Sequence, residues 1–237
     1  MNIALILAAG TGSRMGNADK PKQFLLVHGK PLMVHTIEAF EVNPDVDKIV
    51  ISTNEEYINE VKLMCKQFDL TKVCKIVAGG NTRQISVFNG LMGVKEAGAK
   101  DDDIIIIHDS ARPLISQRII RENIECCKKY DAVDTVINAT DTIVKSENGE
   151  TISDIPIRKE LYQGQTPQTF KYSIIVNAHE FAKQKEVPNV TDDTKLVLML
   201  GHDVHLVEGD KLNFKITTFD DLMMLKALLK IGKTEVL

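Results

Sequence analysis

The first half of the chain alternates between short, almost unbroken apolar runs and stretches with helical periodicity. Runs at Ile3–Leu7, Lys48–Thr53, Val73–Val77, Ile104–Ile107 and Ala132–Asn138 read as strands. Between them, Pro31–Phe40, Glu55–Gln67, Ser86–Ala97 and Ser116–Lys129 read as helices. Strands that are apolar at nearly every position are covered on both faces. Strand–helix repetition with such strands predicts an α/β fold built on a doubly wound, mostly parallel sheet. Further on, Tyr172–Gln184, Thr191–Leu200 and Phe219–Lys230 read as helices, and His202–Glu208 and Asn213–Thr217 as strands.

One segment breaks this rhythm. Between Thr140 and Ile155, β-branched residues flank Asn148-Gly149, the dipeptide that best tolerates positive φ at both centres of a hairpin turn. The pattern predicts a β-hairpin arm at about residues 140–158, projecting from a single domain that spans 1–237. Exposed strand edges call for a partner, so the arm points to a homodimer.

Composition narrows the function. The 237 residues can bury a substantial core, and 43% hydrophobic with 26% charged residues is ordinary for a globular protein. A net charge of -4 leaves no basic field for a nucleic-acid polymer, so any anionic ligand must be held by local cations. Cys65, Cys74, Cys126 and Cys127 have no zinc-ligand spacing, which suits a reducing, cytoplasmic compartment. The apolar run after Met1 is too short to cross a bilayer and has no basic leader, so it reads as a buried strand and no membrane partner is expected. His202-x-x-His205 has no third ligand nearby and reads as two surface histidines.

The chemistry begins in the first strand–helix loop, Leu7-Ala-Ala-Gly10-Thr-Gly12-Ser-Arg14-Met-Gly16. Glycines after a buried strand let backbone N–H groups approach phosphate oxygens closely. The spacing is not the dinucleotide fingerprint, and the second strand runs into Asn54 with no ribose-binding acid at its end. Arg14 inside the loop and Lys22 shortly after it supply two cations near one backbone nest, as transfer at a triphosphate requires.

Leu-Ala-Ala-Gly-x-Gly-x-Arg-Met with the following Pro21-Lys22-Gln23 resembles the cytidylyltransferases of the 2-C-methyl-D-erythritol 4-phosphate and ribitol-5-phosphate type. The likeness continues through Gly79–Val87, His108–Pro113, Gln165–Gln168, Val190–Asp193 and Asn213–Thr217. It implies a Rossmann-like nucleotidyltransferase fold that takes CTP and a small polyol phosphate, with Mg2+ bound mainly through the CTP phosphates. Leu7, Ala8, Ala9, Gly10, Thr11 and Gly12 would wrap the triphosphate, with Arg14 and Lys22 as the catalytic pair. Gly80, Asn81 and Ser86 would meet the cytosine and Arg83 would order their loop, Asn81 standing where many relatives carry an acid. Asp109 and Ser110 would lie by the ribose, the α-phosphate and the metal, Asp109 as the metal ligand. Arg158, Thr166, Thr191 and Lys215 would hold the acceptor, Arg158 reaching from the arm into a neighbouring subunit's site.

Two further features read structurally from the sequence. Arg112, before Pro113, suits loop structuring, and Thr191-Asp192-Asp193 has the look of a helix N-cap. The stretch Asp154–Phe170, with Tyr162 where methylerythritol enzymes tend to carry tryptophan, puts ribitol 5-phosphate first as acceptor and 2-C-methyl-D-erythritol 4-phosphate second. A nicotinamide-dependent reductase or a non-catalytic nucleotide-binding protein are the readings outside this class.

Overall fold

A computed structural model describes residues 1–10 and 20–235, the last four by backbone alone. A seven-stranded sheet organises the chain. Its strands are β1 (Asn2–Ala8), β4 (Lys48–Thr53), β5 (Val73–Ala78), β6 (Ile104–Asp109), β7 (Ala132–Asn138), β8 (Tyr162–Lys171) and β9 (His205–Glu208), and their spatial order is β5-β4-β1-β6-β8-β7-β9. β8 lies antiparallel between β6 and β7, and the other pairings are parallel. A two-stranded hairpin, β2 (Leu26–Val27) and β3 (Lys30–Pro31), stands apart from the sheet.

The apolar runs are explained by burial on both faces. Ala4, Ile6 and Ala8 of β1 point into one core with Ile49, Ile51, Ile104 and Ile106. The helices α1 (Leu32–Glu41), α2 (Ile58–Gln67) and α4 (Gln117–Tyr130) cover that face through residues such as Ile37, Phe40, Val61 and Ile120. Ile3 and Leu5 point into the opposite core, covered by α3 (Arg83–Glu96), α5 (Tyr172–Gln184) and α6 (Asp193–Met199). A buried aliphatic side chain contributes roughly 1.5–3 kcal/mol, so β1 is held from both sides. A third cluster joins Val27, Leu32 and Ile216 to Leu222 and Leu225 of α7 (Phe219–Glu235), seating the segment before α7 against β2.

Three expectations are corrected. Asn213–Thr217 is not a strand. It is tied by single bonds, Ile216 N–H to the Ala111 carbonyl and the Arg112 guanidinium to the Asn213 carbonyl, without a ladder. The arm forms only one antiparallel bridge, Lys145 to Asp154. Its turn has positive φ at Gly149 alone, because the Asn148 side-chain oxygen takes the Glu150 and Thr151 N–H groups at 2.9 and 3.0 Å. The helix read from Thr191 begins only at Asp193, because Asp192, within the N-cap stretch read from the sequence, caps it with a carboxylate that accepts from Thr194 N–H at 2.9 Å. His205 stacks on Tyr130 with ring centroids 3.7 Å apart. Among the described residues no helix is long and apolar enough to cross a membrane.

Candidate active site

The carboxyl ends of β1, β4, β5 and β6 open onto one cavity of about 480 Å³. This is where ligands bind in open α/β sheets. Leu7, Ala9, Gly10, Lys22, Gly80, Asn81, Arg83, Ser86, Asp109, Ser110 and Lys215 all line it, so most residues singled out from the sequence converge. Thr11, Gly12 and Arg14 fall outside the described residues. Arg158 and Thr191 do not line the cavity; Arg158 donates to the Thr140 carbonyl at the base of the arm.

The loop after β5 is set by close packing. A Cβ on Gly80 would lie 2.1 Å from Ile85 Cγ2, and one on Gly79 2.6 Å from the Ala9 Cβ, so the backbone passes there only without side chains. Ser86 Oγ accepts from Gly80 N–H at 3.0 Å and donates to the Thr82 carbonyl at 2.8 Å. Thr82 in turn caps α3 by accepting from Ile85 N–H at 3.2 Å. The result is a rim of the cavity whose backbone is held by Ser86 and Thr82.

Arg83 is anchored from behind. Its guanidinium meets the Asp193 carboxylate at 2.6 Å and donates to Gln168 Oε1 at 3.3 Å. Asp193 is fully buried and also pairs with His179 at 3.0 Å. Burial pushes the Asp193 carboxyl up, but Arg83 and the His179 bond outweigh it and hold it below the usual carboxylate value. Gln168 also donates to Asp134 at 3.1 Å and to Asp192 at 2.8 Å. Burial, with the Asp192 charge beside it, pushes Asp134 up to about 7.

Asp109 ends β6 with cations around it. Its Oδ2 lies 2.9 Å from Lys215 Nζ and 3.5 Å from Arg112 Nε. Burial pushes this carboxyl up, yet Lys215, Arg83 and Arg112 together hold it well below the usual range. Lys22 donates to the Ile216 carbonyl at 2.6 Å, so both lysines meet at the 213–217 segment.

Three supporting residues, His108, Asn213 and Gln23, had no role assigned from the sequence. Thr166 Oγ accepts from Asp109 N–H at 3.1 Å and sits 3.0 Å from His108 Nδ1. His108 Nε2 faces the Arg112 carbonyl at 3.2 Å and must donate to it, so Nδ1 takes the Thr166 hydroxyl proton. Burial drives the His108 pKa down to about 4, which keeps that ring neutral. Asn213 is fully buried and donates to Gln165 Oε1 at 3.0 Å and to the Thr166 carbonyl at 2.8 Å, fixing the segment that carries Lys215. Gln23 donates to the Ala8 and Gly10 carbonyls at 2.6 and 3.0 Å. Each of the three is a polar residue inside a recognised motif, and that membership was the available signal.

A family model described as 2-C-methyl-D-erythritol 4-phosphate cytidylyltransferase (IspD) matches residues 2–231. The 4-diphosphocytidyl-2C-methyl-D-erythritol synthase of Anaerococcus prevotii superposes with a TM-score of 0.81 at 27% identity, over 97% of this chain and 96% of that one. The 2-C-methyl-D-erythritol 4-phosphate cytidylyltransferase of Francisella tularensis gives 0.77 at 29%, over 94% and 97%. The enzyme of that name from Thermus thermophilus gives 0.76 at 29%, over 97% and 100%. These descriptions name the second of the two acceptors weighed above, and the preference for ribitol 5-phosphate is not supported by them. The chain belongs to the 2-C-methyl-D-erythritol 4-phosphate cytidylyltransferase family and is a CTP-dependent nucleotidyltransferase.

Proposed function

We propose that the enzyme transfers CMP from CTP to 2-C-methyl-D-erythritol 4-phosphate. The observation that carries the transfer chemistry is the meeting of Lys22, Lys215 and Asp109 with the Gly80–Ser86 rim in one cavity. The acceptor is supported by the names of the family and of its solved relatives.

In this reading the cytosine lies on the Gly80–Asn81 rim, held against Ser86, and the triphosphate lies toward Gly10 and Lys22. An oxygen of the acceptor phosphate forms a bond to the α-phosphorus while the bond from that phosphorus to the β-phosphate bridging oxygen breaks, and pyrophosphate leaves. A phosphate monoester loses its second proton at about pH 6, so the attacking oxygen needs no general base. Lys22 and Lys215 stabilise negative charge gathered on the phosphate oxygens, and Arg14 joins them on sequence grounds. Thr166 holds Asp109, and Arg158 and Thr191 complete the acceptor site once a second subunit docks on the arm. The exposed Ile143, Val144, Ile152, Ile155 and Ile157 support that homodimer.

Among the described residues no group of three His, Cys, Asp or Glu could cage a metal. Asp109, at the end of β6 on the cavity wall, suits a cation bound chiefly by nucleotide phosphates and touched by one carboxylate. Mg2+ held there by Asp109 would neutralise charge on the phosphates.

Ribitol 5-phosphate keeps one observation in its favour, Tyr162 within Asp154–Phe170 in a chain that has no tryptophan. Pyrophosphate release from CTP with each acceptor at equal concentration tests the choice. Higher kcat/KM with methylerythritol phosphate supports the proposal, and higher kcat/KM with ribitol 5-phosphate overturns it.

A further inference from the structure

Gln23 is 2% exposed, yet it lies at the wall of the cavity. Its amide nitrogen donates both protons to backbone, at 2.6 Å to the Ala8 carbonyl and at 3.0 Å to the Gly10 carbonyl. The Ala8 carbonyl ends β1 and the Gly10 carbonyl follows two residues later, at the root of the glycine loop. Each carries partial negative charge, and a triphosphate beside them would be repelled unless a donor faced them first.

The same residue fixes Lys22. Gln23 sits between Lys22 and Phe24 in a tight turn closed by Phe24 N–H to the Pro21 carbonyl and Leu25 N–H to the Lys22 carbonyl, each at 3.0 Å. Phe24 is buried against Tyr57, ring centroids 4.8 Å apart. The turn is therefore pinned to the core on one side and to β1 on the other. Lys22, directly before both anchors in the chain, lines the cavity.

Resting on the nucleotidyl-transfer reading, we infer that Gln23 is a positioning residue: it sets Lys22 against the Ala8–Gly10 backbone for the transfer step. No ordinary replacement keeps the function. Glutamate directs acceptor oxygens at two carbonyls, methionine fills the volume without donors, and asparagine is one carbon too short to reach both.

The test is steady-state kinetics of Gln23→Met, Gln23→Glu and Gln23→Asn, with thermal unfolding to show which variants fold. A misplacement on the ångström scale costs about 10²-fold in rate. Folded variants are expected to lose about that factor in kcat while the KM for CTP rises about three- to tenfold, Glu being the worst. A purely structural role would lower Tm and leave kcat of the folded protein within about threefold of wild type; that result overturns the inference. Wild-type protein in the same assay separates the two readings. If wild type releases no pyrophosphate with either acceptor, the function reading fails, and calorimetric binding of CTP tests Gln23 by itself. Binding weakened about three- to tenfold in Gln23→Met supports the inference, and equal affinity overturns it.

Discussion

Asp109 and Lys215 meet at the cavity wall with Oδ2 and Nζ 2.9 Å apart, the acid ending β6 and the cation coming from a segment more than a hundred residues later. An acceptor phosphate would compete with Asp109 for Lys215. Lys215→Met is expected to lower kcat/KM for the acceptor by about 10²–10³ and to change the KM for CTP far less. Steady-state kinetics with each substrate varied in turn checks this, and an equal effect on both substrates counts against an acceptor role.

Arg83 reaches the cavity while Asp193 holds it from the buried side at 2.6 Å. Removing one partner of a buried ion pair costs about 3–5 kcal/mol. Asp193→Asn is therefore expected to destabilise the fold by about that amount in urea unfolding and to raise the KM for CTP. A depressed carboxyl pKa contributes stability above the unfolded value, 3.8, which is lost as pH falls through the lower folded value. The wild type should thus lose stability below about pH 4, and Asp193→Asn should lose less of its own there.

Asp134 has the opposite sign. With a folded pKa near 7 against 3.8 unfolded, it lowers stability progressively as pH rises from about 4 to 7 and leaves a constant penalty above that. Asp134→Asn keeps an oxygen for the Gln168 bond and removes the buried charge. Its Tm should exceed that of wild type by about 3 °C or more at pH 8 and by less at pH 5. A gap that widens toward acid contradicts the assignment.

The arm offers Ile155 at 57% and Ile157 at 64% exposure beside Arg158. Ile155→Glu with Ile157→Glu is expected to turn a dimer into a monomer in sedimentation velocity, with kcat falling because Arg158 no longer reaches the neighbouring site. A wild-type monomer with full activity would remove the arm from the mechanism.

The parallel strands were legible because burial on both faces demands unbroken apolar sequence, as in Ile104–Ile107. β8 was not, since Tyr162-Gln-Gly-Gln-Thr-Pro-Gln-Thr is polar and carries a proline, which argues against a central strand. Its buried polar groups are satisfied by residues remote in sequence, Gln168 by Asp134 and Asp192, Gln165 by Asn213. Lys215 was read within a strand, but the segment is held in place another way: Ile216 packs with Val27 and Leu225 while Asn213 holds its start. The cavity residues were legible through motif order, whereas Gln23, His108 and Asn213 act through partners that only the fold brings near.

The central claim is transfer of the α-phosphorus of CTP, with its nucleoside, to an acceptor phosphate. The most direct measurement follows label from [α-32P]CTP and [γ-32P]CTP in parallel reactions with methylerythritol phosphate. The account predicts α-label in a cytidine diphosphate-linked product and γ-label only in pyrophosphate. Appearance of γ-label in the acceptor, or α-label that stays in free CMP whether or not acceptor is added, would contradict it.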